Sequence, residues 1–563
     1  MSPSEEFKPE NVRVYKPGEP EYEHSVATPN LLYRFTRPPG VVRPKTTDQI
    51  KAILNEAYEK GVSLTIKDGG HCYAGFSTTE KGVLVDLMNM NQVDLKLDSS
   101  NIPKTVTLAG GAKWGHAYRE LVNGRHDRYM INGGRCPTVG VSGFVLGGGL
   151  GPFGRSLGMG CDSIKAITIA IGPRGDGPGA RAQTWKVSRD DADANKRELF
   201  WALCGAGGGN FGIVTEVEMN VQCLNSEKVT AGRLTYRPKQ ENMGEFMDAM
   251  CEFYTAQWSN EMTIDTSWLC DLSQTDSELA VRFISYYNGS KCKFDNEIDQ
   301  TLVIGAEVGN MLKRRTSAEH STRFLHETLV SQWSEETIQS LPSSRNYSIY
   351  TSFVFTNGNT DQMKKIVSVI RHEMKSFRAK FAGERGLLQV SFIHSGGVAA
   401  DKASGYTAYP WRDGIYHTYI MLVWEEKWLR DDMENFLDKF KKRLRPYSID
   451  RKAAFINFPD NRLKDGYLEA YYGENVKRLQ SAKANWDPKN FWNWEQGISP
   501  SQDQSSSSVA VSAGKKDASE DTKEDRQWNL VSCPQAIDFE GAISLPLGKV
   551  LGGGIHSLSD LGF

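Results

Sequence analysis

The chain has 563 residues, 39% hydrophobic and 24% charged, and its 67 Lys and Arg nearly balance its 69 Asp and Glu. This ordinary globular composition excludes a disordered or collagen-like protein. The net charge of −2 gives no basic surface for nucleic acid. No run of about 18 apolar residues is present, so we expect no transmembrane segment.

The N-terminus and the cysteines indicate the cellular compartment. The first residues lack the basic and apolar stretches of a secretory signal, which favours a cytoplasmic or otherwise intracellular location. The nine cysteines are scattered and never form C-x-x-C, which argues against a disulfide scaffold and against a zinc site. We therefore predict no metal centre.

The first two segments of the chain differ in composition. Residues 1–40 are polar and Pro-rich and predict an N-terminal arm. Residues 41–225 are Gly-rich, with short β-like runs such as SLTI, GVLVDL and TVTLAGG. One amphipathic helix, TTDQIKAILNEAYEKG, starts from Thr46 with Thr46 or Thr47 as its N-cap. We interpret residues 41–225 as one domain.

The composition of the chain changes again in the following segments. Residues 226–450 combine longer strands, such as ELAVRFISYY and HTYIMLVWEE, with amphipathic helices, one of which carries its apolar face on Met363, Ile366, Val367, Ile370 and Met374. This predicts an α+β unit in which helices cover an antiparallel sheet. Residues 451–499 are an aromatic-rich segment of loops and helices, residues 500–528 a disordered polar linker, and residues 529–563 an apolar tail that either docks on the body or is a gene-model artefact.

Three Gly-rich segments carry most of the functional information: DGGHCYAG at 68–75, GGRCPTVGVSGFVLGGGLGPFG at 133–154 and GAGGGNFGIV at 205–214. Dense glycine lets a backbone approach a ligand closely and offers N–H groups to phosphate. Two stretches match G-x-G-x-x-G but lack the strand-to-helix setting of a Rossmann motif. Structural turns remain an alternative, and we favour loops that hold a phosphate-bearing cofactor.

Two nucleophilic side chains stand in these loops. His71 follows Gly69-Gly70, and Cys136 follows Gly133-Gly134-Arg135. An imidazole and a thiol in such loops are compatible with metal ligands, a Cys/His catalytic pair, or points of cofactor attachment. No further metal ligands cluster near them, and no protease signature surrounds the cysteine.

At these residues the chain resembles the berberine-bridge-enzyme-like flavoproteins of the vanillyl-alcohol-oxidase (PCMH-type FAD-binding) superfamily, from about Val42 to Ile498. KDGGH at 67–71 resembles the family's R-S-G-G-H, and CPTVG at 136–140 with the following GGG resembles C-P-T-V-G…G-G-G. FWAL with GGGNFG, at 200–212, is similar to a third family motif. YYG at 471–473 and DPKNF at 487–491 resemble its C-terminal Y-Y-G…D-P-x-N-x-F.

The resemblance implies a two-part PCMH-type FAD-binding domain, rejoined by residues 451–499, with an α+β substrate domain. It implies FAD attached twice, through His71 to the 8α-methyl and through Cys136 to C6, with O2 as the electron acceptor. Val139 resembles the small oxygen-gate residue of the oxidases. The other residues it assigns to the cofactor are Lys67, Gly69, Gly70, Gly140, Gly143, Gly148, Gly149, Gly209, Asn210, Gly212, Ile213, Val214 and Asn457.

The catalytic base departs from the family pattern. Many members use the Tyr of N-Y-x-D, and Phe458 stands in its place here and cannot accept a proton. His394, in SFIHSGG, is a candidate base or acid, and a structural histidine is the alternative. A carboxyl group of the tail, that of Asp538 or Glu540, is another candidate, as a general acid. Weaker candidates are Tyr73, Tyr347, Tyr409 and His417.

These observations predict an FAD-dependent oxidase of a mid-sized natural product in specialised metabolism. Hydride would pass to flavin N5, and O2 would be reduced to H2O2. A redox-neutral isomerase or cyclase on the same scaffold is one alternative, and a carbohydrate oxidase is another. A non-enzymatic flavin-binding role is a further alternative. We expect a small-molecule substrate and a monomer or weak dimer.

Overall fold

The computed structural model describes residues 6–174, 177 and 179–501. Its strands form three sheets against which helices pack, so the predicted α+β class is confirmed. The predicted linker beyond residue 501 and the predicted tail, with its candidates Asp538 and Glu540, lie outside the described residues. Within the described part of the chain, no helix is long and apolar enough to cross a membrane.

The first sheet lies near the N-terminus and is mainly parallel. Its strands are β1 (Val14–Tyr15), β2 (Gly40–Val42), β3 (Leu64–Lys67) and β4 (Val83–Asp86), in the order β1-β2-β4-β3. Both β2 and β3 pair in parallel with β4. Helix α1 (Pro20–Val26) precedes β2, and helix α2 (Thr47–Lys60) connects β2 to β3.

Helix α2 begins where its sequence predicts. Thr46 is the N-cap, because its side chain accepts a hydrogen bond from Gln49 N at 3.3 Å. Gly61 ends the helix at a φ of +63°, which glycine adopts without strain. The buried face packs on the first sheet through Ile50, Ile53, Leu54 and Ala57. These local signals return the chain to β3, whose carboxyl end leads directly into the His71 loop.

The second sheet is antiparallel and has the order β5-β6-β10-β8-β9, with β7 paired to β10. Its strands are β5 (Val93–Leu97), β6 (Pro103–Ala109), β7 (Tyr129–Ile131), β8 (Ile164–Ile171), β9 (Gln183–Ser188) and β10 (Ile213–Cys223). Its helices are α3 (Trp114–Asn123), α4 (Val141–Leu146), α5 (Gly154–Leu157) and α6 (Ala194–Leu203). The Gly-rich segments 133–154 and 205–214 are connections within this unit.

The third sheet is the predicted antiparallel one, with the order β14-β11-β13-β12-β16-β17-β15. Its strands are β11 (Lys228–Tyr236), β12 (Met262–Asp271), β13 (Ala280–Tyr287), β14 (Thr316–His320), β15 (Tyr347–Phe355), β16 (Gly386–His394) and β17 (Tyr416–Trp424). The surrounding helices are α7 (Met243–Thr255), α8 (Lys291–Thr301), α9 (Ala306–Arg314), α10 (Ser321–Arg323), α11 (Leu329–Gln332), α12 (Ser334–Gln339), α13 (Thr360–Lys380) and α14 (Arg430–Leu444).

The helix faces predicted in this region are confirmed. The five apolar residues predicted on one face of α13 are all buried, and they share a core with the third sheet. Helix α14 buries the apolar residues of its own face in the same core. The strands lie between residues 228 and 424, inside the predicted substrate-binding segment 226–450, and the limits of the domains stay a prediction.

The last described segment contains helices α15 (Tyr467–Tyr472) and α16 (Val476–Trp486) and packs against the second-sheet unit. Lys483 Nζ donates a hydrogen bond to Asn210 O at 2.6 Å. Tyr472 Oη donates to Ala206 O at 2.7 Å. Both acceptors belong to the Gly-rich segment 205–214, so the C-terminal residues fix the position of that loop.

Candidate active site

A cleft of about 400 Å³ lies where the Gly-rich loops face the third sheet. One wall is built by the loops around residues 68–77, 134–143 and 207–209. The opposite wall is formed by strands β15 and β17 and by helix α12. The C-terminal segment closes the cleft with residues 455–459 and 492–494. Three distant parts of the chain therefore meet at one site.

His71 lines this cleft on the loop that follows β3. Gly70, immediately before it, has a φ of +73°, which turns the chain sharply after the strand. Burial, and secondarily the charge of Lys113, lowers the pKa of His71 to about 4. The imidazole is therefore neutral at pH 7 and keeps a lone pair for nucleophilic attack or hydrogen bonding.

Cys136 lines the same cleft from the second Gly-rich segment. Its Sγ lies 3.2 Å from Thr138 Oγ1 and 3.5 Å from Thr337 Oγ1. Thr337 belongs to α12, so this helix touches the cysteine loop directly. The structure thus brings together the two nucleophiles that the sequence singled out, and adds a hydroxyl group from the substrate side.

The glycines of the cleft fit a flat, phosphate-bearing cofactor. A Cβ on Gly208 would meet only Leu146 Cδ1, at 3.9 Å, and a Cβ on Gly143 only Asp68 Oδ2, at 3.9 Å. Any side chain at these positions would occupy the cleft itself. The lining also contains Asp68 Oδ1 and Trp492 Nε1, which are buried and have no hydrogen-bond partner among the described residues. Open backbone, unpaired polar atoms and two nucleophiles together fit FAD.

Most residues predicted for the cofactor reach the cleft. Asn457 lines it and donates a hydrogen bond to Phe144 O at 2.9 Å, which ties the C-terminal segment to α4. The other predicted cofactor residues that line the cleft are Gly69, Gly70, His71, Cys136, Val139, Gly140, Gly143, Gly209, Gly212 and Val214.

The remaining predicted cofactor residues are not part of the lining, namely Lys67, Gly148, Gly149, Asn210 and Ile213. Lys67 Nζ donates to Ser25 O at 2.7 Å. Asn210 is buried and donates to Ala206 O at 2.9 Å, so its side chain shapes the loop.

The structure does not bring His394 into the cleft. Neighbouring residues of a strand point to opposite faces, and Ile393 is the one that lines the cleft. His394 is buried on the other face, where Nδ1 accepts a hydrogen bond from Ile264 N at 3.2 Å and the ring stacks on Tyr416. Burial holds its pKa well below the ordinary value. These contacts favour the structural histidine that the sequence left as the alternative.

Tyr409 is also outside the lining of the cleft. It is buried, hydrogen-bonded to His417 Nε2, and donates to Trp411 O at 3.2 Å. Tyr347 stacks on Trp424 instead. Of the weaker tyrosine and histidine candidates, Tyr73 alone lines the cleft, where its ring stacks on Tyr350 with centroids 4.6 Å apart.

The lining of the cleft includes side chains that the sequence did not single out. Tyr350, Tyr419 and Glu336 line its substrate side. Phe458, in the place of the expected tyrosine, also lines it and packs on Tyr419 with ring centroids 4.8 Å apart. Strand alternation could have grouped Tyr419 with Met421, but it does not say which face meets the glycine loops. No sequence pattern singled out the residues of helix α12.

Comparison with known proteins agrees with this geometry. The family model described as FAD binding domain matches residues 38–176, and the one described as Berberine and berberine like matches residues 454–499. The FAD-linked oxidoreductase YgaK of Bacillus subtilis is 24% identical over 501 residues, which is 87% of this chain and 97% of its own. The aclacinomycin-N/aclacinomycin-A oxidase of Streptomyces galilaeus is 26% identical over 82% of this chain and 85% of its own.

Solved structures show the same fold. A chitooligosaccharide oxidase superposes with a TM-score of 0.69 at 20% identity, covering 87% of this chain and 97% of its own. The berberine bridge enzyme of Eschscholzia californica superposes with a TM-score of 0.69 at 18% identity, covering 89% and 98%. Residues from both matched family models line the cleft, and the full-length relatives are oxidases and oxidoreductases. The chain is therefore similar, over most of its length, to berberine-bridge-enzyme-like FAD-linked oxidoreductases.

Proposed function

We propose that this protein is an FAD-dependent oxidase of a mid-sized natural product, with FAD attached through both His71 and Cys136 and with O2 as the electron acceptor. The observation that carries the proposal is that both nucleophiles line one cleft, opposite a wall of aromatic and polar side chains. When bound, FAD supplies a hydride acceptor and a route for two electrons to O2, with release of H2O2.

The protein residues have separate duties in this proposal. His71, which is neutral, and Cys136 hold the ring. The glycines within 69–70, 140–143 and 207–209 let the cofactor approach the backbone. Tyr73 and Tyr350 line the substrate side of the cleft. Val139, which also lines the cleft, is small and leaves room for O2 beside the ring, as in the oxidases that the sequence resembles. The surrounding apolar residues exclude water from the reacting groups.

The test is an anaerobic and aerobic assay of the purified holoprotein with metabolite extracts, following flavin absorbance near 450 nm and product mass. The oxidase predicts bleaching without O2, recovery of colour with O2, and a product lighter by two hydrogens. A flavin that stays oxidised with every extract that yields a product would overturn it.

Two other functions have support in particular observations. Phe458 removes the family's usual base, which favours a redox-neutral isomerase or cyclase, and that reaction gives a product of unchanged mass. The similarity to a chitooligosaccharide oxidase favours a carbohydrate substrate. Glucose and chitooligosaccharides in the same assay distinguish this second alternative from the natural-product oxidase.

Double attachment predicts how flavin behaves on denaturation. Wild-type protein precipitated in acid should keep its yellow colour, and so should the single variants His71→Ala and Cys136→Ala, since one bond remains in each. The double variant should release its flavin into the supernatant. Absorbance of pellet and supernatant measures this, with Cys72→Ala, the neighbouring cleft cysteine, as the matched control. Release from either single variant would contradict attachment at both residues.

A further inference from the structure

Helix α12 places one carboxyl group on the substrate side of the cleft. Among the described residues of the lining, the carboxyl groups are those of Asp68, on the glycine-loop wall, and Glu336, on α12. The Glu336 side chain is 16% exposed, so the cleft reaches it. Glu336 also lines a second cavity, of about 280 Å³, on the same sheet.

The two oxygens of Glu336 have different surroundings. Oε1 forms an ion pair with the buried Arg282 guanidinium, which also holds Glu335 Oε2 at 2.8 Å. Oε2 is buried and has no hydrogen-bond partner among the described residues. A buried acceptor without a donor costs about 1–3 kcal/mol. A ligand whose O–H or N–H group reached this oxygen would remove that cost.

The hydroxyl groups around Glu336 are weaker proton acceptors than a carboxylate. Burial raises the pKa of Tyr419 to about 12, and the negative charge of Glu336 adds to this effect. Burial also raises the pKa values of Tyr73 and Tyr350, with smaller contributions from neighbouring groups that include Glu336. All three tyrosines line the cleft and are neutral phenols at pH 7.

The cations near the cleft are already paired. Arg135 lines it, but its guanidinium contacts both oxygens of Asp265 and also Leu150 O. Arg282 is shared between Glu335 and Glu336. The substrate side therefore offers a proton acceptor and no free positive charge among the described lining residues. Such a site discriminates against anions, because Arg282 is already shared by two carboxylates and a carboxylate ligand would add a third negative charge.

We infer that Glu336 is the catalytic residue that accepts the substrate's O–H or N–H proton in place of the tyrosine lost at Phe458, and that the cleft selects neutral or cationic proton donors over anions. The inference rests on the proposed function. In the step, the substrate gives one proton to Glu336 and one hydride, with its two electrons, to FAD. The substrate's C–O or C–N single bond becomes a double bond.

Selection by charge can be tested without the natural substrate. Benzyl alcohol, benzylamine and benzoate share one ring and differ in charge, and each is titrated anaerobically into the holoprotein while flavin absorbance and Tm are followed. Benzyl alcohol and protonated benzylamine should bind about tenfold or more tightly than benzoate. Glu336→Gln should weaken benzylamine about tenfold and remove the penalty on benzoate.

Glu335→Gln is the matched control, because Glu335 shares Arg282 but does not line the cleft. It should leave the order of affinities unchanged. Wild-type protein that prefers benzoate overturns the inference, whether or not any variant folds. The inference is also overturned if Glu336→Gln keeps the wild-type order of affinities. It is overturned as well if the substitution alters only the flavin spectrum, because the carboxylate would then face the cofactor.

Turnover separates this inference from the proposed function. With any substrate that bleaches the wild-type flavin, Glu336→Gln should lower kcat at least a hundredfold at unchanged flavin content, and Glu336→Asp should recover part of it. Bleaching at the wild-type rate in Glu336→Gln rejects Glu336 as the base and leaves the oxidase intact. A different outcome is that Glu336→Gln loses the charge selection while the wild-type protein gives a product of unchanged mass. That outcome rejects the oxidase and keeps Glu336 as the proton acceptor.

Discussion

Replacing Lys483 by Met is expected to lower the free energy of unfolding by about 3–5 kcal/mol, because it leaves a buried carboxylate without its cation. The Lys483 side chain is fully buried, and its Nζ donates to Asp487 Oδ2 at 2.7 Å, Asn210 O at 2.6 Å and Trp492 O at 2.8 Å. These bonds join α16, the Gly-rich segment 205–214 and the end of the C-terminal segment.

Urea denaturation followed by tryptophan fluorescence measures this loss. Lys477→Met is the matched control, since Lys477 lies on the same helix outside its buried face, and it should change stability by less than about 0.5 kcal/mol. A loss below about 1 kcal/mol in Lys483→Met would show that Asp487 is satisfied by its backbone donors, Phe491 N and Trp492 N, alone.

Asp68 should make the stability of the protein fall as pH rises from about 4 to about 7. Burial raises the pKa of Asp68 to about 7, against the lowering effect of the Gly143 backbone hydrogen bond and of Lys113. The folded protein therefore binds this proton more tightly than the unfolded chain, whose carboxyl titrates near its ordinary value of 3.8. The stability due to the protonated form is complete below about pH 4 and is lost as pH approaches about 7.

Asp68→Asn removes this titration. Its unfolding free energy relative to wild type should rise by about 3 kcal/mol between pH 5 and pH 8, because the wild-type protein loses about 1.36 kcal/mol for each pH step of one between the two pKa values. Urea unfolding of both holoproteins at several pH values gives the difference. Asp94→Asn, at an exposed position of β5, is the control. A difference for Asp68→Asn that does not change with pH would mean that water reaches the carboxyl group.

Local sequence determined much of the fold. Thr46 and Gly61 specify the ends of α2, and the apolar spacing of α13 specifies its buried face, because caps and periodicity act within one helix. The glycine-rich loops around His71 and Cys136 indicated a phosphate-bearing cofactor, since positive φ values and close approach of a ligand leave few alternatives to glycine. The motifs in these loops also carry the family resemblance, and that resemblance implied FAD.

Tertiary structure alone decided the substrate side of the site. His394 and Ile393 are neighbours on β16, and only packing against the glycine loops determines that Ile393 lines the cleft. Glu336 sits in a six-residue helix without a motif, and it matters because Arg282, from a strand far away in sequence, holds one of its oxygens. The sequence by itself indicated a phosphate-bearing cofactor, because the glycine requirements of its loops are local, and its family resemblance implied FAD. The tertiary structure decided which side chains line the cleft, Glu336 among them, because burial and charge pairing depend on residues that only folding brings together.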